Sequence, residues 1–247
     1  HEGSDFWLTF GDNSNDYTDT PRKIFISSRF VTEGLVEIPG EGIQIPFSVV
    51  PGEVTTVDID RTLRTYGNTL LVQSKGIHVT TEHNVVVYGL SRQADSTDGF
   101  LVLPTEVLGQ NYSVMAYDKG QINLVATEDD TVVKLTPAVD VSFNYRDSSG
   151  RLWLTAGETH EMNLNQGESY SLDSTENSVI AMEIESNYPI AVFSGSECTN
   201  VPTAMLACDH LTEQMPSYEH WGLEYALVPF AMRANGDTVR ILASVDN

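Results

Sequence analysis

The residues of this sequence that could do chemistry are concentrated in one stretch, GSECTNVPTAMLACDHLTEQMPSYEHWG. Within it, Asp209, His210 and Glu213 stand close together, and Trp221 follows them. An aspartate, a histidine and a glutamate that faced one cleft would serve as general acids and bases. However, H-x-x-E is a short and common pattern, and the sequence shows no nucleophile elbow beside it. We therefore predict that Asp209 caps a turn, that His210 hydrogen-bonds to the backbone, and that the protein is not an enzyme.

The same four residues are also candidates for a ligand-binding loop. Trp221 would then join Tyr225 and Phe230 in an aromatic platform for a sugar. Tyr225, however, aligns with Tyr112 in an internal repeat, and a shared position favours a packing role. We expect these aromatic side chains to lie in the core, with the sugar platform as the alternative.

Cys198 and Cys208, the two cysteines of the chain, lie in the same stretch. In an exported protein, this close spacing favours a local disulfide, which would stabilise the fold by roughly 3 kcal/mol. A zinc site would need two further ligands, for which His210 and Glu213 are the nearby candidates. A catalytic thiol would need a histidine at a known family spacing. We predict the disulfide and keep the zinc site and the thiol as alternatives.

The early loop GDNSNDYTDT is the candidate for metal binding. It places Asp12, Ser14, Asp16 and Thr18 at alternate positions, as in the oxygen-rich start of a calcium loop. The central glycine and the final glutamate of an EF-hand are missing. We expect a solvated acidic loop that needs no cofactor, and calcium binding is the alternative.

The charge balance excludes some classes of partner. Among 247 residues, 13 lysines and arginines stand against 35 aspartates and glutamates, for a formal net charge of −22. Such a chain repels nucleic acid and anionic membranes. It also lacks any run of about 18 apolar residues, so we expect no membrane insertion. Solubility, divalent cations and basic partners fit this charge.

The setting that we expect is extracellular. The chain opens at His1 without a methionine, and no signal peptide is visible, as in a mature product whose leader has been removed. Asn111-Tyr112-Ser113 is a glycosylation sequon, a pattern that also arises by chance. We keep Asn111 as a candidate glycosylation site.

Alternation of apolar and polar residues dominates the chain. In TTVDID, Val57 and Ile59 alternate with polar residues, and in HEMNLN, Met162 and Leu164 do the same. A period of two with one polar face predicts antiparallel strands over a core. Turn sequences such as VPGE and NQGE separate these strands. We predict an all-β fold whose helical content is limited to short turns around PTEVLG and PSYEHWG.

The sequence also contains an internal repeat. PGEVTTVDI aligns with AGETHEMNL, HNVVVYGL with YPIAVFSG, and LPTEVLGQNYSV with MPSYEHWGLEYAL. These alignments place Val57 on Met162 and Tyr112 on Tyr225, so we expect each pair to lie in similar surroundings. We predict two tandem antiparallel β-sandwich units, Ig-like or jelly-roll-like, that arose by duplication.

The repeat sets the domain boundaries that we expect. They are an N-terminal strand and acidic loop at 1–20, a first β-sandwich at 21–118, a second at 119–236 and an extra strand at 237–247. The extra strand is the start of a third unit, because DTVRILASVDN resembles GQINLVATEDD. A lone strand has unpaired backbone groups and needs a partner, either within this molecule or in a neighbour.

Several stretches together resemble a known family. DFWLTF, STDGFLVLPTEVLG, VATEDDTVVKLTP and the segment AVFSGSECTNVP...ACDHLTEQMPSYEHWGLEY are similar to the N-terminal domain family of IgG Fc-binding proteins. The resemblance covers essentially the whole chain. It implies an extracellular, non-enzymatic, β-rich module of adhesion, mucus or matrix, in which Cys198 and Cys208 are the family's cysteine pair. It does not imply antibody binding.

Two functions fit these features. The first is a non-enzymatic adhesion or binding module at a cell surface, in mucus or in matrix, which recognises an extracellular protein or glycan through its loops. The alternative is a structural subunit of an extracellular filament or sheath. Strand-like ends such as SDFWLTF favour this alternative, because a strand donated to a neighbour's sheet edge gives head-to-tail self-assembly.

Overall fold

The structure of the chain is a computed structural model that describes residues 1–14, 20–67, 71–144, 151–174, 179–232 and 236–244. These residues form antiparallel strands, joined by turns and short 3-10 helices, and the described ranges include no α-helix. The all-β prediction is therefore confirmed.

The first half of the chain has two layers that share one long strand. Its elements are β1 (Gly3–Leu8), β2 (Arg22–Ser27), β3 (Thr32–Ile38), η1 (Pro39–Glu41), β4 (Ile43–Val49), β5 (Thr55–Ile59), η2 (Arg61–Leu63), β6 (Ile77–Arg92) and β7 (Thr97–Val102). The first residues of β6 pair with β1 and β3, and its last residues pair with β2 and β7. β4 extends the first layer beyond β3, and β5 extends the second layer beyond β2.

The core of the first half lies between these two layers. Ile24 and Ile26 of β2 and Val36 and Ile38 of β3 are fully buried, each separated from the next by a residue that is less buried. Within β6, this alternation is interrupted at residues 81–84, where the strand leaves one layer and enters the other. The period-two pattern therefore sets which face of each strand lies inward.

The second half repeats this arrangement with an additional hairpin. Its elements are η3 (Thr105–Val107), β8 (Asn111–Ser113), β9 (Gly120–Ala126), β10 (Thr131–Thr136), β11 (Val141–Asn144), β12 (Arg151–Leu154), β13 (His160–Leu164), β14 (Ser169–Asp173), β15 (Glu183–Ser186), β16 (Ile190–Thr199), β17 (Asp209–Gln214) and η4 (Tyr218–His220). One layer has the order β13-β10-β15-β8, and the other has the order β14-β9-β16-β17. β11 and β12 form the additional hairpin.

The strand pairings of the two halves correspond one to one. The pairings β1–β6, β3–β6, β3–β4, β2–β6, β2–β5 and β6–β7 correspond to β8–β15, β10–β15, β10–β13, β9–β16, β9–β14 and β16–β17. The single strand β6 corresponds to β15 and β16 together. Pro189 lies between those two strands, where its missing N–H cannot join a ladder.

This correspondence corrects one alignment made from the sequence. By strand order, β14 takes the place of β5, whereas the alignment had put β13 there. Val57 is buried on β5, while Met162 on β13 is only half-buried. Alternating sequences align equally well with any strand of the same phase, so the pattern alone could not choose between β13 and β14.

The prediction that Tyr112 and Tyr225 share similar surroundings is wrong. Tyr112 is fully buried on β8, whereas Tyr225 is 74% exposed and Phe230 is 71% exposed. Trp221 is half-buried. The expected short helical turns are present, because η3 lies in PTEVLG and η4 lies in PSYEHWG. The 3-10 turn that precedes each tyrosine is thus similar, but the side chain of Tyr112 is packed in a core and that of Tyr225 is exposed.

The two halves meet through their cores. The rings of Phe100 on β7 and Phe193 on β16 make an edge contact, with centroids 5.2 Å apart. Val125 and Ala191 of the second half are also buried in the apolar cluster of the first half. β7 and β17 lie next to each other at this junction, and the candidate functional site is built around β17.

Candidate ligand-binding loop

A disulfide closes the loop between β16 and β17. Cys198 and Cys208 are bonded to each other, and their Cα atoms are 5.2 Å apart. The predicted disulfide is confirmed. Both sulfur atoms are used in this bond, so neither the zinc site nor the free catalytic thiol is available in this state.

The tip of this loop presents apolar side chains to solvent. Met205 is 56% exposed and Leu206 is fully exposed. The backbone N–H of Met205 donates to the carbonyl of Pro202 at 2.9 Å, and the Asn200 side-chain amide donates to the carbonyl of Met205 at 2.7 Å. The tip is therefore held from within by hydrogen bonds and at its base by the disulfide.

Asp209 connects this loop to the first half of the molecule. Its Oδ1 accepts from the Ser96 hydroxyl at 3.0 Å and from the Thr97 backbone N–H at 3.2 Å. These two donors belong to the turn between β6 and β7 and to the start of β7. Asp209 thus caps a turn that is distant in sequence.

His210 is buried and bonded to the backbone, as predicted. It is 2% exposed, and its Nδ1 donates to the carbonyl of Ser196 at 2.9 Å. Its backbone N–H donates to the Ser96 hydroxyl at 2.8 Å. Burial lowers the pKa of the imidazole, which favours the neutral ring. A neutral ring that faces the interior cannot exchange protons with a ligand at the surface.

The carboxylates of β7 and β17 join these two strands. Asp98 Oδ2 accepts from the backbone N–H of Thr212 at 2.9 Å, and burial raises the pKa of Asp98. Glu213 is exposed as a residue, yet partial removal of water from its carboxyl raises the pKa to about 7, and the charge of Asp98 adds to this increase. The Gln214 side-chain oxygen accepts from Leu103 N at 2.7 Å.

The structure does not gather the predicted residues in one cleft. Asp209 and Glu213 lie on one face of β17, and His210 lies on the opposite face, because side chains alternate along a strand. Trp221 lies beyond η4, where its Nε1 donates to the carbonyl of Pro216 at 3.1 Å. Its ring makes an edge contact with Tyr218, at 4.8 Å between centroids.

Sequence reasoning missed the two apolar side chains at the tip of the cystine loop. Met205 and Leu206 were not singled out, although they are an apolar pair inside a segment enclosed by the two cysteines. An apolar pair in a turn-rich segment without strand alternation would have been the signal for an exposed tip. Asp98 and Ser96 were also missed, since their roles depend on contacts with β17 that span the two halves.

The oxygens of Asp12, the first of the four candidate calcium ligands, already have partners. Its Oδ1 lies 2.5 Å from Arg64 Nε, and its Oδ2 accepts from Gly67 N at 3.0 Å. Ser14 is described, but Asp16 and Thr18 lie outside the described residues. Within the described ranges, no group of three or more His, Cys, Asp or Glu side chains is placed to hold a metal ion. Calcium binding stays the untested alternative to a loop that needs no cofactor.

A second carboxylate lies beside Asp12, at the junction of the two halves. Burial raises the pKa of Asp173, and the negative charge of Asp12 raises it further. A Cβ on Gly67 would clash with the carboxyl of Asp173, so a larger residue at position 67 would displace this carboxyl. Asp173 is therefore protonated more readily than an aspartate at the surface.

Asn111 lies at the surface, on the short strand β8. It is exposed, and its side-chain amide donates to Glu219 Oε1 at 3.2 Å. The following residue of the sequon, Tyr112, is fully buried. Glycosylation at Asn111 stays a prediction.

Comparison with known proteins identifies the family. The family described as IgGFc binding protein matches residues 98–247, more than half of the chain. The match begins within β7 and includes the second half, the cystine loop and the residues that follow η4. No curated protein and no solved structure matches. In the described part of the chain, no helix has the length and apolar character needed to cross a membrane. The resemblance read from the sequence motifs is thereby confirmed over residues 98–247, while the motif DFWLTF lies outside the match. The chain belongs to the IgGFc-binding protein family, a family of extracellular binding proteins.

Proposed function

We propose that this chain is an extracellular, non-enzymatic binding module that contacts a protein partner through the tip of its cystine loop. The observation that carries the proposal is the full exposure of Leu206, next to Met205, on a loop held by a disulfide. Apolar side chains that a monomer leaves exposed at a defined position are typical of contact surfaces.

The construction of the loop supports this function. The disulfide and the hydrogen bonds of Asn200 and Met205 fix the tip before any partner arrives. A loop that is already ordered loses less conformational entropy on binding, so more of the contact energy appears as affinity. The disulfide also suits the oxidising conditions outside the cell.

The negative charge of the chain indicates which kind of partner surface it would attract. The formal net charge of the chain is −22, and Asp209 and Glu213 lie close to the loop in sequence. A partner with a basic surface around an apolar pocket would be attracted by this field, and the rate of association would fall as salt is added. We therefore favour a basic protein surface over a glycan.

The test measures binding of the intact chain to immobilised IgG Fc fragment and to purified mucin. The double variant Met205→Ser, Leu206→Ser should bind at least ~10-fold more weakly to whichever surface the native chain binds. The matched control is Val54→Ser, which removes an apolar side chain that is 64% exposed in the first half. Equal binding by the native chain and the double variant would refute the proposal.

A glycan ligand is a separate outcome of the same experiment. If enzymatic removal of glycans from mucin abolished binding while the double variant bound normally, the ligand would be a sugar. Trp221→Ala would then be the variant that weakens binding, because sugar rings stack on aromatic side chains. This result would move the contact surface from the loop tip to the residues after η4.

The alternative function, a filament subunit, has support at one end of the chain only. β1 pairs with β6 of the same molecule, and Phe6 and Leu8 are fully buried. The N-terminal strand therefore already has its partner. Exchange with a neighbour would depend on the exposed residues beyond η4, so a filament is the less supported of the two functions.

We also infer that the two halves are tandem β-sandwich copies of one ancestral unit. The support is the one-to-one correspondence of strand pairings, which includes the order of both layers. We assign β1–β7 to the first copy and β8–β17 to the second, so the N-terminal strand at 1–20 belongs with the first copy. β11 and β12 are then an insertion in the second copy.

A further inference from the structure

The residues after η4 repeat the local structure that begins the second half. Gly109 N donates to the Tyr112 hydroxyl at 2.8 Å, and Gly222 N donates to the Tyr225 hydroxyl at 2.6 Å. A 3-10 turn precedes the glycine in both places. The same local bond therefore forms at the start of β8 and again after η4.

The tertiary surroundings of the two tyrosines differ. The Tyr112 hydroxyl also donates to the carbonyl of Ile190, at the first residue of β16, and the side chain is fully buried. Tyr225 is 74% exposed. The local bond is thus present at both positions, but the strand that covers Tyr112 has no counterpart over Tyr225 within the described residues.

A second segment shows the same contrast. By the alignment of DTVRILASVDN with GQINLVATEDD, Val239 and Ile241 correspond to Ile122 and Leu124 of β9. Ile122 and Leu124 are fully buried, whereas Val239 is 52% exposed and Ile241 is 80% exposed. A sequence with strand alternation therefore lies at the surface without a described strand partner.

One side chain holds this segment against the second half. Arg240 Nη1 donates to the carbonyl of Ala116 at 2.5 Å, and its guanidinium lies 3.8 Å from the centre of the Tyr117 ring. Ala116 and Tyr117 belong to the connection between β8 and β9. The segment is thus kept beside the second half while its apolar side chains stay exposed.

The strands that cover β8 and β9 in the second half indicate what would cover the corresponding segments after η4. β8 pairs with β15, with Tyr112 opposite Ile184. β9 lies between β14 and β16, with Leu124 opposite Tyr170 on one side and Val192 on the other. The missing partners are therefore antiparallel strands with apolar residues at alternate positions.

We propose that residues 223–232 and 236–243 contain the first two strands of a third sandwich and bind a polypeptide that supplies strands equivalent to β14, β15 and β16. This inference rests on the duplication proposed above and is independent of the cystine loop. The partner forms backbone ladders with 225–228 and 238–243 and buries Tyr225, Val239 and Ile241. A second copy of residues 1–244 is a poor partner, because its β14, β15 and β16 already pair with its own strands.

The experiment supplies the missing strands as a defined probe. A second copy of residues 131–214, which carries β10 to β17, is joined directly after Asn247 of the full chain. The alignment makes Asn247 equivalent to Asp130, so the added residues continue in the register of the second half. Amide hydrogen exchange in 225–228 and 238–243 should slow by ~100-fold or more, because strands within a ladder exchange only on opening.

The control is the same extended chain with Val239→Asn and Ile241→Asn, in which 225–243 should exchange as fast as in the native chain. Fast exchange of 225–228 and 238–243 in the unmodified extended chain overturns the proposal, whether or not the added residues fold.

Sedimentation of the native chain tests whether a second copy of the chain is the partner. A monomer is expected, and an oligomer in which 225–243 is protected would overturn the proposal by making a second copy the partner. Neither hydrogen exchange nor sedimentation depends on Met205 or Leu206. These results can therefore be told apart from a failure of the binding function proposed for the cystine loop.

Discussion

Equivalent strand pairs in the two halves are closed by very different connections. Between β6 and β7, Gln93 N donates to the carbonyl of Ser96 at 2.9 Å, and Gln93 and Ser96 are buried. Between β16 and β17, the chain makes a longer loop that is exposed at its tip and closed by the 198–208 disulfide. Equivalent strand pairs are thus connected once by a short turn held by hydrogen bonds and once by a longer loop held by a covalent bond.

This difference shows where the second half gained a contact surface. In the turn between β6 and β7, the two central residues are exposed but Gln93 and Ser96 are buried, so the polar groups of these two residues need partners. A loop closed by a disulfide is held at its base and can leave its tip residues without contacts to the rest of the molecule. Met205 and Leu206 are therefore available to a partner, whereas the side chain of Ser96 is not.

Of the changes to these two connections, breaking the covalent one should have the largest effect. The double variant Cys198→Ser, Cys208→Ser should lose roughly 3 kcal/mol in free energy of unfolding, because the unfolded chain is no longer closed into a loop. Urea denaturation at neutral pH measures this loss. The native chain under reducing conditions is the matched control and should unfold at the same urea concentration as the variant. Equal midpoints for the oxidised native chain and the variant would contradict the prediction.

A smaller effect should follow from breaking the buried connection. Ser96→Ala removes the hydroxyl that donates to Asp209 Oδ1 and accepts from His210 N. The His210 N–H then keeps Asp209 Oδ1, at 2.9 Å, as an acceptor, so the variant loses two hydrogen bonds without leaving this donor unpaired. The free energy of unfolding should fall by about 1 kcal/mol. Ser48→Ala on the exposed face of β4 is the control and should change little. If both variants unfolded like the native chain, the turn would not depend on these bonds.

The carboxylate of Glu213 should make stability depend on pH. Its pKa is raised to about 7 in the folded chain from an ordinary value of 4.5. As pH rises from about 4.5 to 7, the unfolded state loses this proton first, so ionisation favours unfolding and stability falls. Glu213→Gln should therefore raise the urea midpoint at pH 8 and leave it unchanged at pH 4. Glu53→Gln, on an exposed turn, is the control. A gain from Glu213→Gln that was equal at both pH values would exclude titration as its cause.

The smallest effect is expected from a change at the exposed tip of the cystine loop. Leu206→Ser should change the free energy of unfolding by less than ~0.5 kcal/mol, because the side chain has no contacts to lose. Phe193→Ala, in the core beneath the same sheet, should cost about 3–5 kcal/mol and serves as the reference. Thermal unfolding of both variants measures the difference. A large loss from Leu206→Ser would show that the tip packs against the molecule.

The strands were predictable because their pattern is local. Alternation in segments such as TTVDID fixes the face of a strand, and the Pro and Gly positions near η3 and η4 fix the turns. The pattern does not say which strand lies alongside, because that depends on residues far away in the sequence. For this reason the alternation pattern aligns β5 with β13, although the sheet order gives that place to β14.

The candidate site was predictable only in part, for the same reason. The bond between Cys198 and Cys208 and the backbone bond of His210 involve residues that are near in sequence. The partners of Asp209 and Thr212 are on the other half of the chain, more than a hundred positions away, and no local signal marks them.

The sequence by itself determined the all-β class, the cystine loop and the glycine-to-tyrosine hydrogen bond that forms at both Tyr112 and Tyr225. Only the tertiary structure decided that Tyr112 is buried and Tyr225 is exposed, and that Leu206 lies at a free tip. The physical reason is that hydrogen bonds within a turn need only neighbouring residues. Burial needs another strand to lie opposite, and that strand comes from a distant part of the chain or from a partner.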